Sequence, residues 1–279
     1  GFVEKFGKKR VRNTPLCEAA IVGSGLGLSI NGYKSMVEMQ FADFVTEGFN
    51  QIINNLAKTH YRWNQNADVV VRMPTGAGTG AGPFHSQSNE AWFTKTPGLK
   101  IAYPAFPDDA KGLLIQSFED PNPVLFFEHK KLYRSLKGNV PEGFYTTPFG
   151  KARKVKEGNE LTIITYGLGV HIALEFAEKN PEISLEIVDL RTLIPLDTET
   201  IYESVKKCNK VIILHEDTLT CGFGAELSAL ISEHCFEDLD APILRVASMD
   251  TPIPFNKKLE DQFMPNEELA EAVEKILKY

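Results

Sequence analysis

Short apolar runs rich in β-branched residues alternate along this chain with longer stretches whose apolar positions recur at helical spacing, the pattern of parallel sheets flanked by helices. In the first half it predicts a helix from Pro15, a strand near residues 35–40, a helix over about 44–61 and a buried strand at Val69-Val70-Val71. A glycine-rich loop over 74–83 follows, then a strand over 99–103, a helix over 108–118 and a strand over 124–127. From Lys130 to Gly150 the chain is polar and contains Gly and Pro, which reads as a linker. The second half repeats the alternation more cleanly, with strands at 161–166, 185–189, 211–215 and 243–247 and a last helix over 267–278. The expected fold class is α/β, with two parallel-sheet domains at 1–135 and 151–279 joined through 136–150. No solenoid-type repeat is visible.

One carboxylate stands out in an otherwise apolar run, Glu18 in Leu16-Cys17-Glu18-Ala19-Ala20-Ile21-Val22. Pro15 suits a first helical position and Thr14 can cap it, which places Glu18 in the first turn. Ala19, Gly23 and Gly27 follow at i, i+4 and i+8, a stripe that lets another backbone approach and buries the start of the helix. A buried Glu18 then needs a partner. The glycines at 23, 25 and 27 do not make a dinucleotide loop, because they fall inside a helical pattern rather than after a strand. The loop from Gly76 to Gly82 does follow a strand but lacks the Gly-Lys-Ser/Thr ending of a phosphate loop. It reads either as a mobile surface loop or as a hinged loop that carries His85-Ser86-Gln87-Ser88 into a cleft, with His85 correspondingly idle or catalytic.

Charge and composition narrow the function classes. A net charge of −7 without a basic block argues against nucleic acid or an anionic membrane as main partner. No apolar run is long enough to span a bilayer, and the first residues lack a signal peptide's apolar core. Cys17, Cys208, Cys221 and Cys235 are scattered, without Cys-x-x-Cys spacing, and read as reduced thiols in a cytoplasmic or mitochondrial-matrix compartment.

The runs Thr14-Pro15-Leu16-Cys17-Glu18, Glu38-Met39-Gln40-Phe41-Ala42-Asp43-Phe44 and His85-Ser86-Gln87-Ser88-Asn89-Glu90-Ala91 closely resemble the beta chain of thiamine-diphosphate-dependent 2-oxo-acid dehydrogenases, nearest the branched-chain member. The resemblance continues through Thr96-Pro97-Gly98-Leu99-Lys100, Phe126-Phe127-Glu128, Asp189-Leu190-Arg191-Thr192, His215-Glu216 and Asp250-Thr251-Pro252. It implies a transketolase-like pyrimidine-binding domain followed by a transketolase-type C-terminal domain. It implies further that Glu18 hydrogen-bonds the aminopyrimidine ring of thiamine diphosphate and that His85 is the active-site histidine, donating a proton or anchoring substrate. Leu16, Gln40 and Phe44 match cofactor-lining positions, Phe44 standing where relatives often carry Tyr. Ala67, Val69, Val70, Ser117, Asp120 and Asn122 resemble a potassium site of hard oxygen donors; as a bare sequence feature, Asp120-Pro121-Asn122 is simply a turn. Arg72 reads as a structural cation.

By the same resemblance the diphosphate and Mg2+ are held on an alpha chain or alpha half, so this chain offers half of a site. The expected activity is oxidative decarboxylation of a branched 2-oxo acid such as 2-oxoisovalerate, with acyl transfer to lipoyl. The implied partners are the alpha half, a second beta chain and a lipoyl acyltransferase core. Family beta chains begin with an extra helix and strand, so the first domain is expected to be truncated and the chain alone inactive. A pyruvate or acetoin dehydrogenase beta chain, another transketolase-type enzyme and a fragment with only a docking role remain the alternatives.

Overall fold

A computed structural model describes all 279 residues. Ten strands run in chain order: β1 Ser35–Glu38, β2 Val69–Thr75, β3 Lys100–Ala102, β4 Val124–His129, β5 Arg153–Lys156, β6 Leu161–Thr165, β7 Leu185–Asp189, β8 Thr192–Ile194, β9 Val211–Thr218 and β10 Leu244–Ser248. They form two five-stranded sheets, ordered β1-β2-β4-β3-β8 and β10-β9-β6-β7-β5. Within each sheet the pairs are parallel except at one edge, where β8 runs antiparallel to β3 and β5 antiparallel to β7.

The central strands are apolar on both faces because helices cover both. Val69, Val71, Leu125 and Phe127 belong to one core cluster that continues into Ile164, Leu190 and Ile213 of the second half, so the two sheets share packed apolar surface. β8 reinforces this union: it follows β7 closely in sequence yet pairs with Ile101 and Ala102 of the first sheet. The segment expected as a linker is also packed. It contains a short helix, Leu132–Ser135, and the Tyr145 hydroxyl donates to the Asp108 carbonyl at 2.8 Å.

One expectation about the helix that carries Glu18 is corrected. The helix spans Glu18–Ile30 with Cys17 as an N-cap that makes no side-chain capping bond, so Thr14 and Pro15 lie outside it. Its first buried residue is Val22, and Leu16, just ahead of the helix, is 86% exposed. The stripe Ala19, Gly23 and Gly27 is not where another part of the chain presses close. A Cβ on Gly25 would lie 3.0 Å from Val37 and 3.2 Å from Val69, whereas one on Gly27 would meet nothing within 4 Å. The inward face is Val22, Gly25 and Ser29; the stripe is left half-buried, and Glu18 with it.

Candidate functional site

In parallel α/β sheets, ligands bind beyond the carboxyl ends of the strands. In the first sheet that edge is formed by the segments leaving β1, β2 and β4. Met39 continues β1, its amide donating to the Arg72 carbonyl at 3.0 Å, and the chain then turns out through the exposed Gln40 into Phe41. A 3-10 turn, Ala42–Phe44, leads into the helix Val45–Asn50. There Phe41, Phe44 and His85 make a three-ring cluster, all edge-on. The His85 ring lies 4.9 Å from that of Phe41 and 5.5 Å from that of Phe44.

Polar contacts lock the segment after the glycine loop onto this turn. Asp43, buried, accepts from the Gln87 amide at 3.1 Å and the Gln87 side chain at 2.9 Å, and the Asn89 side chain donates to the Ala42 carbonyl at 3.0 Å. The Lys130 ammonium, just past β4, donates to the His85 carbonyl and lies 5.3 Å from the centre of the Phe41 ring. Burial lowers its pKa, outweighing the pull of Asp43, Glu216 and Glu260.

Glu18 begins the helix that packs against Val45–Asn50. Its backbone carbonyl lies against Gly48, where a Cβ would sit 3.4 Å away. The Glu18 carboxylate is half-buried and enters no ion pair within the chain. Phe44 and His85 are therefore in direct contact, with Glu18 on an adjacent helix start, Gln40 on the preceding turn and Leu16 in solvent. A thiamine ring suits this set: an aromatic pair with half-open faces and a carboxylate lacking an internal partner are what a ring with a basic nitrogen would engage.

Behind the edge lies a buried polar layer to which the sequence reading assigned no role. The Tyr166 hydroxyl donates to Glu90 at 2.8 Å, and burial followed by the nearby charge of Asp217 raises the Glu90 carboxyl to about 8. Burial also raises Asp217, to about 7, and depresses His215, which stacks against Tyr166, to about 4. For Glu216 burial alone would raise the pKa, but His129, the Ala77 amide and Lys130 prevail and hold it below its ordinary value. Glu90, His215 and Glu216 lie inside runs that resemble the family, whereas Lys130 opens a polar segment that reads as a linker.

Of the residues suggested for a potassium site, Ala67, Asp120 and Asn122 lie together at the opposite end of the same sheet. The Ala67 amide donates to the Pro121 carbonyl at 3.2 Å, and Ala67 and Asn122 both line a cleft of about 480 Å³. The Asp120 carboxylate is already engaged. Asp120 pairs with the Lys100 ammonium and accepts from the Asn122 amide at 2.9 Å, and the Ser117 hydroxyl donates to the Leu113 carbonyl at 2.7 Å. Burial alone would raise Asp120, but Lys100 and Asn122 outweigh it and hold it low. Arg72, expected as a structural cation, bridges Glu38 and Glu128, each at 2.5 Å.

Comparison with known proteins agrees with this architecture. Residues 1–135 match the transketolase pyrimidine-binding domain and residues 150–269 the transketolase C-terminal domain. The 2-oxoisovalerate dehydrogenase subunit beta of Bacillus subtilis is 49% identical over 277 residues, covering 98% of this chain and 85% of that one. The acetoin:2,6-dichlorophenolindophenol oxidoreductase subunit beta of the same organism is 42% identical, over 95% of this chain and 78% of its own. Among solved structures, one described as a split gene transketolase, inactive beta4 tetramer, superposes with a TM-score of 0.79 at 24% identity, covering 99% of this chain and 86% of that one. With an identity near one half sustained over almost its whole length, the chain belongs to the transketolase-like family of 2-oxoisovalerate dehydrogenase beta subunits.

Proposed function

We propose that this chain is the beta portion of a 2-oxo-acid dehydrogenase that decarboxylates a branched 2-oxo acid such as 2-oxoisovalerate and passes the acyl group to lipoyl. The observation that carries this reading is the 49% identity to a 2-oxoisovalerate dehydrogenase beta subunit across 98% of the chain. We take residues 1–135 and 151–279 as its two domains and 136–150 as the connection. Active enzyme requires the alpha half, which brings the diphosphate and Mg2+ ligands, in an assembly that also holds a second beta chain and docks on a lipoyl acyltransferase core. Free thiols at all four cysteines suit a cytoplasmic or mitochondrial-matrix setting.

When bound, thiamine diphosphate supplies a carbon nucleophile and an electron sink for decarboxylation. The residues of this chain serve it as follows. Glu18 shares a proton with the ring nitrogen of the aminopyrimidine and so sets its tautomer. Phe44 offers an aromatic face, Gln40 a polar edge and Leu16 an apolar one. His85, supported by Phe41 and by Lys130 on its carbonyl, supplies a proton or anchors the substrate carboxylate. A potassium ion at Ala67, Val69, Val70, Ser117, Asp120 and Asn122 would be structural, using second lone pairs of the carbonyls and sharing Asp120 with Lys100.

The test is to assemble the chain with its alpha partner and compare thiamine-dependent turnover of 2-oxoisovalerate, pyruvate and acetoin. Preference for 2-oxoisovalerate supports the reading. Preference for acetoin favours the second one, which rests on the 42% identity to the acetoin enzyme's beta subunit. Turnover of none of the three overturns both.

A further inference from the structure

The glycine loop leading to His85 is held by the other half of the chain. Gly76, Gly78, Gly80 and Gly82 all adopt positive φ, between 71° and 93°, a backbone that side chains rarely follow. Alternating left-handed residues turn successive amides toward one side, the arrangement that elsewhere cradles anions. Here the cradle is filled by carboxylates from the second half. Glu216 accepts from the Ala77 amide at 2.6 Å. Glu260 accepts from the Gly78 amide at 2.8 Å and from the Gly80 amide with both oxygens, at 3.1 and 3.0 Å.

Apart from its longer-range pull on Lys130, the loop amides are all that the Glu260 carboxylate engages. Glu260 is 2% exposed, on the helix Lys257–Phe263, and no ion pair neutralises it. A charged side chain is costly to bury unless its hydrogen bonds are satisfied, and the two loop amides are what satisfy it. Just upstream, Phe255 lies over Gly82, where a Cβ would come within 2.2 Å of the ring. The segment 255–260 therefore covers the loop from Gly78 to Gly82. One turn separates this clamp from the histidine, whose amide donates to the Gly82 carbonyl at 3.3 Å.

We propose that Glu260 is a positioning residue for His85: by gripping the Gly78 and Gly80 amides from the second domain, it fixes where the loop delivers the histidine at the edge of the first sheet. The proposal rests on the role given to His85 above. The positioning is specific to the loop, because Gly80 is exposed and Gly78 half-buried. Water can take over their amides when the carboxylate is removed, so the fold survives while the loop loosens. A small displacement of a catalytic group is enough to cost one to two orders of magnitude in rate.

The experiment uses the assembly with its alpha partner and four variants: Glu260→Ala, Glu260→Gln, His85→Ala and the double variant Glu260→Ala/His85→Ala. Hydrogen exchange across residues 76–88 is read beside kcat and KM for lipoyl acylation. Glu260→Ala is expected to speed exchange at the Gly78 and Gly80 amides by at least about tenfold and to lower kcat by about 10- to 100-fold, with KM for the 2-oxo acid within about threefold. Glu260→Gln, which keeps one acceptor oxygen and the side chain's size, should fall between and serves if the alanine variant does not fold. The double variant should be no slower than His85→Ala alone, since the clamp acts only through the histidine. Additive losses, or faster exchange with unchanged kcat, overturn the positioning role. Unimpaired His85→Ala shows instead that the reading of His85 is at fault, and the positioning falls with it.

Discussion

The imidazole of His129, at the end of β4, meets the Glu216 carboxylate of β9 at 2.5 Å, and the pair joins the two sheets where both side chains are almost wholly out of solvent. The Lys131 amide donates to Nδ1 of His129 at 3.3 Å, so the other ring nitrogen carries the proton that faces Glu216. The second oxygen of Glu216 holds the Ala77 amide. Removing the carboxylate strands a buried imidazole and a buried amide at once. Glu216→Ala is expected to cost about 3–5 kcal/mol in urea unfolding, the range for breaking a buried pair from one side. Glu216→Gln, which still accepts hydrogen bonds, should cost less than half of that.

Two glycines of the same loop separate packing from backbone strain. Gly76 has φ +93°, and a Cβ there would lie 2.0 Å from Nε2 of His129. Gly80 has φ +71°, but a Cβ there meets nothing within 4 Å. Gly80→Ala therefore carries only the left-handed penalty, about 1–2 kcal/mol. Gly76→Ala adds overpacking against a ring that cannot move without giving up Glu216, and should lose about 3 kcal/mol or more. Equal losses in the two variants, measured by chemical denaturation, would refute this division.

The sequence displays the fold where burial writes a pattern and hides it where pairing is distant. Val69-Val70-Val71 and Val211 to Leu214 are apolar on both faces and declare themselves as central strands. Arg153–Lys156 forms an edge strand from Arg-Lys-Val-Lys, whose charges carry no apolar signal. Thr192–Ile194 is only three residues long and joins the other domain's sheet. Thr14 and Pro15 spell a helix start, but the helix begins three residues after Pro15, behind a Cys17 that makes no capping bond. At the site, the family runs point to Phe44 and His85, which do meet. The grip of Glu216 and Glu260 on the loop was illegible because their partners are 139 to 182 residues away in sequence.

The buried polar layer gives stability an opposing dependence on pH at its two ends. Glu90, ordinarily near 4.5, is held at about 8 by burial first and by Asp217 next. Between those values the unfolded chain has released the proton that the folded chain retains, so stability falls as pH rises from about 4.5 to 8. His215, ordinarily near 6.5, is depressed by burial to about 4, so the unfolded chain takes up a proton first and stability falls as pH drops through that window. Glu90→Gln mimics the protonated acid and should remove part of the alkaline loss. Relative to the parent it should gain on the order of 2 kcal/mol between pH 6 and pH 8 in urea unfolding. An unchanged difference across that range would show that Glu90 is already ionised in the folded chain.

Glu18 poses the sharpest chemical test, because its carboxylate is half-buried and enters no ion pair within the chain. Glutamine has nearly the same shape and can still hydrogen-bond a pyrimidine nitrogen, but it cannot share a proton with it. In the assembly with the alpha half, Glu18→Gln should therefore bind thiamine diphosphate within about tenfold of the parent. It should lose about 10²- to 10⁴-fold in decarboxylation, the usual span of acid–base assistance. Calorimetric titration of the cofactor and release of carbon dioxide separate the two effects. Loss of binding with normal turnover at saturating cofactor would make Glu18 an anchor rather than a proton partner. Because the residue starts its helix without capping it or pairing, the substitution should leave the unfolding midpoint of the chain unchanged. A large drop in that midpoint would mean the carboxylate serves the fold, and the catalytic assignment would lose its ground.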